Sequence, residues 1–151
     1  MKKYELTDET IDVSGTTLHR IKALKDFGNV KKGELGGYVE SERNLSQEGN
    51  CWVCGDAKVC GDAEVCGNAK VCGNAKVCGD ADYIIIKGLG SKYRNTTIFR
   101  TKENIAVKCG CFYGTLAEFV DKVKETHGNS KFTKEYLALI DLVKIHFELE
   151  E

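Results

Sequence analysis

The chain has 151 residues, 22 Lys+Arg against 23 Asp+Glu, eight Cys, and 16 Gly with no Pro. That length suits one domain, or a small module with an appendage, and excludes a large composite enzyme. Charges of both signs are spread along the chain for a net of −1, so neither a basic nucleic-acid tail nor an acidic one is present.

The opening, Met1 to Glu9, lacks the apolar run of a secretion signal. No later stretch approaches the ~20 apolar residues that a membrane-spanning helix needs. A soluble cytoplasmic protein without membrane association is therefore expected, and in that compartment its thiols should stay reduced. Leu18 to Leu24 reads as a short strand or hairpin arm, with Asp26-Phe27-Gly28-Asn29 as its turn. Residues 1–35 are expected to form an N-terminal β cap, because the end of a repeat stack leaves backbone groups unpaired.

Residues 36–82 hold a repeat. Five hexads stand in register, VCGDAK (53–58), VCGDAE (59–64), VCGNAK (65–70), VCGNAK (71–76) and VCGDAD (77–82), after a weaker unit at 47–52. A period of six fits neither the 3.6 of an α-helix nor the alternation of one long strand, and suits short strands joined by tight turns. Val53, Val59, Val65, Val71 and Val77 are β-branched and expected to point inward, with Ala57, Ala63, Ala69, Ala75 and Ala81 at the tight corners. Gly-Asp and Gly-Asn tolerate positive φ and make the turns, whereas Pro would remove a ladder donor. Cys54, Cys60, Cys66, Cys72 and Cys78 follow the inward valines and are expected to face outward as structural or interface residues. With three hexads to a turn, Cys54 lies over Cys72 and Cys60 over Cys78, while Cys66 sits on a third face beside Glu48. A cross-strand disulfide is geometrically conceivable, but a four-ligand metal site is not offered by any one face.

Residues 83–151 are expected to form an α+β appendage. Tyr83-Ile84-Ile85-Ile86 is an apolar strand, and Thr96 to Arg100 with Ile105 to Cys109 reads as a β-hairpin. Thr115 to Glu118 is a capping box for a helix with Leu116, Phe119, Val120 and Val123 as its apolar stripe and Gly128 as its end. Thr133 is read as the cap of a second helix, burying Tyr136, Leu137, Ile140, Val143 and Phe147.

The hexads resemble those of left-handed parallel β-helix proteins, with a match over residues 53–82 that extends in degenerate form to about Gly36. The fold class implied is mainly β, a short left-handed parallel β-helix carrying a C-terminal β-hairpin and two-helix appendage. Members of that family are usually homotrimers, many are acyltransferases that use coenzyme-A thioesters, and a few are carbonic anhydrases with a metal on three histidines. The opening, with Leu18-His19-Arg20-Ile21, Gly33-Glu34-Leu35-Gly36-Gly37-Tyr38-Val39 and Asn44-Leu45-Ser46, is similar to uncharacterised bacterial and phage-encoded members.

The residues argue against the family's chemistry. His19, His127 and His146 all lie outside the hexads, so no three-histidine metal site is expected there, and no long loop supplies a base or covers a thioester. No catalytic residue, cofactor or metal is assigned. Charge is concentrated instead at residues 83–114, which carry a net of +5. Lys87, Lys92, Tyr93, Arg94, Arg100, Lys102 and Lys108 are the candidate ligand contacts, suited to a phosphate or nucleotide. The sequence is thus read as a non-enzymatic trimeric binding or scaffold protein. The phage resemblance suggests an inhibitor of host defence that sequesters a cyclic nucleotide signal or blocks a host protein. The alternative is an acyl-coenzyme-A-dependent acetyltransferase in which His19 is the only plausible base.

Overall fold

The computed structural model describes residues 1–79 and 82–149. Strand β1 (Tyr4–Val13) and strand β2 (Thr16–Ala23) form an antiparallel hairpin, turned at Ser14 and Gly15, both of which have positive φ. Strand β3 (Leu35–Val39) pairs antiparallel with β2, and the Phe27–Val30 bridge closes the turn between them.

The hexads contribute two-residue strands: β4 (Trp52–Val53), β5 (Lys58–Val59), β6 (Lys70–Val71) and β7 (Lys76–Val77). Pairing is parallel and offset by 18 residues, Val53 with Val71 and Val59 with Val77, while β3 pairs parallel with β5. Every valine of the five hexads is buried, and so are Ala57, Ala63, Ala69 and Ala75. Ala81 lies outside the described residues. Gly55, Gly61, Gly67 and Gly73 all turn the chain at positive φ, and the turns are closed by bonds such as Ala57 N to Cys54 O at 3.3 Å.

The left-handed parallel β-helix expected of the chain is corrected by this pairing. The strands form a five-stranded mixed sheet in the order β1-β2-β3-β5-β7, a separate two-stranded parallel pair β4-β6, and a four-stranded antiparallel sheet. The described residues are mainly β, with mixed and antiparallel sheets and two α-helices. The physical reason lies in strand length. Turns consume four of every six residues in a hexad, so only short parallel rungs remain, whereas the long strands on either side pair antiparallel through tight hairpins.

The antiparallel sheet has the order β11-β10-β9-β8, built from β8 (Tyr83–Leu89), β9 (Arg94–Arg100), β10 (Ile105–Cys109) and β11 (Phe112–Thr115). Its alternation places it between two layers. Tyr83, Ile85, Phe99 and Ala106 join the core of the hexads, and Ile84, Ile86, Ile98 and Val107 join a second core under the helices. The hexad side is also tied by polar contacts: Lys70 N donates to Thr97 Oγ1 at 3.1 Å, Asn95 donates to Asn68 O, and Ala75 bridges Thr101.

Helix α1 (Leu116–His127) starts at the Thr115 capping box, in which Glu118 N donates to Thr115 Oγ1 at 3.2 Å and Thr115 N to Glu118 Oε1 at 2.9 Å. Helix α2 (Lys131–His146) begins two residues before Thr133, with Ser130 at its N-cap position. The Thr133 hydroxyl instead donates to Gly128 O at 2.7 Å and bridges the two helices. Leu139 is a buried residue of α2, and Leu137, expected to be buried, is half-buried. None of the helices among the described residues is long and apolar enough to cross a membrane.

Candidate functional site

The helix face of the antiparallel sheet is incompletely covered, and a cleft of about 260 Å³ opens between its β9–β11 side and α1. The floor is aromatic. Phe119 packs at 5.4 Å from Phe112 and edge-on at 5.3 Å from Tyr136, while His127 stacks on Tyr136 at 6.1 Å. The rim is cationic: Lys92 and Arg94 come from the β8–β9 turn and β9, and Lys122 from α1. Arg94 is an even-numbered residue of β9 and so shares the helix face with Thr96 and Ile98. Its guanidinium lies across Gly110, where even a Cβ would meet Nη1.

Tyr136 is held by neutral partners. Its hydroxyl donates to Leu89 O at 3.2 Å and lies 3.9 Å from the Cys109 thiol, which itself accepts from Thr96 Oγ1 at 3.3 Å. Burial first, and the neighbouring Cys109 second, push the Tyr136 phenol up to about 12. A phenol raised this far is not poised to lose its proton near neutral pH.

The structure distributes the cations expected to act together. Lys92 and Arg94 meet in the cleft. Lys102 lies with Lys58 in a polar groove of about 420 Å³ between the hexads and the sheet. Arg100 pairs with Asp82 at 3.0 Å and covers the Phe147 ring at 5.1 Å. Lys108 donates to Gly110 O at 2.8 Å, Lys87 is exposed at the β8 edge of the sheet, and Tyr93 is 68% exposed in the turn. Local charge does not single out Lys122, because residues 115–151 carry five Lys and eight Asp+Glu. Its signal was positional: at i+3 from Phe119 it stands beside the apolar stripe rather than opposite it.

The cysteines show two states. Cys54 and Cys72 are joined by a disulfide with a Cα separation of 4.6 Å, which corrects the expectation of reduced thiols for this pair. The register offset of 18 residues puts them on adjacent strand ends, within reach of a bond. Cys60 and Cys78 are free, as are Cys51, Cys66, Cys109 and Cys111. Cys60 is only 8% exposed, because Leu18 and Tyr38 of the N-terminal strands pack over it in a cluster apart from the hexad core. Among the described residues no group of three or more His, Cys, Asp or Glu could hold a metal ion.

The histidines are separated. His19 Nδ1 lies 3.1 Å from Thr7 O within the β1–β2 pair, His127 lines the cleft, and His146 packs edge-on against Phe147 at 4.7 Å.

No family model matches the chain. An alignment 61 positions long, which covers 35% of the chain, is 39% identical to a protein of Escherichia coli described as the uncharacterized acetyltransferase YdcK. The chain spans 19% of the length of that relative. The relative is bacterial and gives no link to phage-encoded proteins; the similarity bears on the hexapeptide-repeat resemblance and on the acetyltransferase reading.

Proposed function

We propose that the protein is a non-enzymatic binding protein that holds a small anion with an aromatic or apolar body in the cleft between the antiparallel sheet and α1. The observation that carries this reading is the vertical order of the cleft: an aromatic floor of Phe112, Phe119 and Tyr136 under a rim of Lys92, Arg94 and Lys122. A flat ring would stack on the floor while a phosphate or carboxylate meets the rim, and a nucleotide satisfies both demands. Assembly as a homotrimer is a finer expectation drawn from the hexad resemblance, and a signal nucleotide or a host protein as what is captured is one drawn from the resemblance of the opening to phage-encoded proteins.

Titration calorimetry with a panel of mononucleotides and cyclic nucleotides tests the reading. One charge-assisted hydrogen bond contributes about 1.5–3 kcal/mol, so Arg94→Gln or Lys122→Gln should weaken binding roughly 10- to 100-fold. No binding of any member, or binding by both variants as tight as the parent's, rejects it.

The second reading is favoured by the similarity to a protein described as an acetyltransferase. Turnover of acetyl-coenzyme A with amine acceptors, lost in His19→Gln, would establish that reading in place of the first.

A further inference from the structure

Outside the cleft, a second pair of sulfurs repeats the geometry of the disulfide. Cys60 follows Val59 of β5 and Cys78 follows Val77 of β7, and Val59 and Val77 are register partners. Cys54 and Cys72 stand in the same relation to Val53 and Val71. The backbone repeats as well: Cys54 N donates to Val71 O at 2.8 Å, and Cys60 N to Val77 O at 2.9 Å. One rung is covalently closed, and in the other the Sγ atoms lie 3.0 Å apart. Cys66 has no such counterpart, because the residue that faces Val65 is Leu45.

The two free thiols are unequal. Cys78 is exposed, whereas Cys60 is buried beneath Leu18 and Tyr38. Burial first, and then the adjacent Cys78, push the Cys60 thiol up to about 12, with Glu40 acting in the same direction and Lys76 against it. A buried thiol of this kind is a poor first nucleophile and a well-placed second one, since it already touches its target sulfur.

We propose that Cys60 and Cys78 form a thiol–disulfide exchange site that closes to an intramolecular disulfide at the expense of a low-molecular-weight disulfide such as oxidised glutathione. The Cys78 thiolate attacks one glutathione sulfur, forming a mixed disulfide and releasing one glutathione thiolate, which takes up the Cys78 proton. Cys60 then loses its proton, and its sulfur attacks the Cys78 sulfur. The Cys60–Cys78 bond forms, the Cys78–glutathione bond breaks, and the second glutathione leaves with that proton. Two protein thiols are oxidised by two electrons in total, and one disulfide is reduced to two thiols. The product ties β5 to β7 within the five-stranded sheet, as the existing bond ties the ends of β4 and β6.

The test uses the full chain carrying Cys66→Ser, exposed to oxidised glutathione under native conditions and then alkylated and digested with trypsin. Cleavage after Lys58, Lys70, Lys76 and Lys87 places Cys60 in peptide 59–70 and Cys78 in peptide 77–87. The expected product is the cross-linked pair of these peptides, with no glutathione left on Cys78. Adding Cys60→Ser should trap one glutathione on Cys78, and adding Cys78→Ser should slow modification of Cys60 by about tenfold or more. A parent protein that accumulates glutathione on Cys78 while Cys60 remains alkylatable overturns the proposal. So does a cross-link that forms only in denaturant. If either serine variant fails to fold, the parent's own time course decides, because the mixed disulfide must rise before the cross-link.

Discussion

Replacing Lys3 by Met removes one ammonium group and keeps the length of the side chain. Lys3 is only 1% exposed, an uncommon state for a lysine. Its Nζ donates to Cys51 O at 2.9 Å, reaches Glu48 O and Gly49 O at 3.4 Å each, and lies 4.8 Å from the centre of the Phe27 ring. These carbonyls belong to the irregular segment before β4, and the ammonium is a hydrogen-bond donor to them. A hydrogen bond from a charged donor contributes about 1.5–3 kcal/mol, and a desolvated cation–π contact adds about 1–2 kcal/mol. Met restores part of this through apolar burial, which leaves a net loss of about 2–4 kcal/mol. For a chain of this size each kcal/mol shifts Tm by about 2–4 °C, so Lys3→Met should melt about 5–15 °C below the parent in a thermal scan followed by circular dichroism. A Tm within about 1 °C of the parent, with an unchanged spectrum, would refute the reasoning and show that water satisfies those carbonyls equally well.

Two further outcomes follow from packing and protonation. A methyl group on Gly37 would lie 2.6 Å from Ala57 O and 2.8 Å from Val53 Cγ1, whereas one on Gly79 meets nothing within 4 Å. Gly37→Ala should therefore lower stability to urea by about 1–3 kcal/mol and Gly79→Ala should leave it nearly unchanged; equal effects would remove the close approach of β3 to the hexads as the cause. The Tyr136 phenol is raised from 10.0 to about 12, so the stability it contributes is complete below pH 10, declines above that and is gone beyond about pH 12. Tyr136→Phe should flatten that part of the alkaline stability profile, and parallel losses in parent and variant would contradict the assignment.

The hexads were the most legible part of the chain because their chemistry repeats. An inward valine, a glycine turn and a corner alanine recur at fixed spacing, and Val53, Val59, Val65, Val71 and Val77 are all fully buried. The architecture built on that local pattern was not legible. Strand partners depend on which long segments lie on either side, and the ten residues of β1 carry no repeat to announce that they pair antiparallel with β2. The cleft was half legible. Lys92 and Arg94 stood out as basic residues in a basic segment, whereas Lys122 is brought beside them only by the packing of α1 on the sheet. The separation of Arg100 from that group has the same origin, since Asp82 and Phe147 reach it from opposite directions in sequence.

By itself, the sequence determined where the chain turns and which side chains are apolar enough to be buried, because glycine conformation and hexad periodicity act over a few residues. It also determined the 18-residue spacing that allows one cysteine to face another. Tertiary structure alone decided what those facts became. The cover of Leu18 and Tyr38 made Cys60 a buried thiol and left Cys78 open, although both occupy the same place in their hexads. Exposure, partner choice and thiol acidity are properties of surroundings assembled from distant segments, and identical local sequences acquire different chemistry when those surroundings differ.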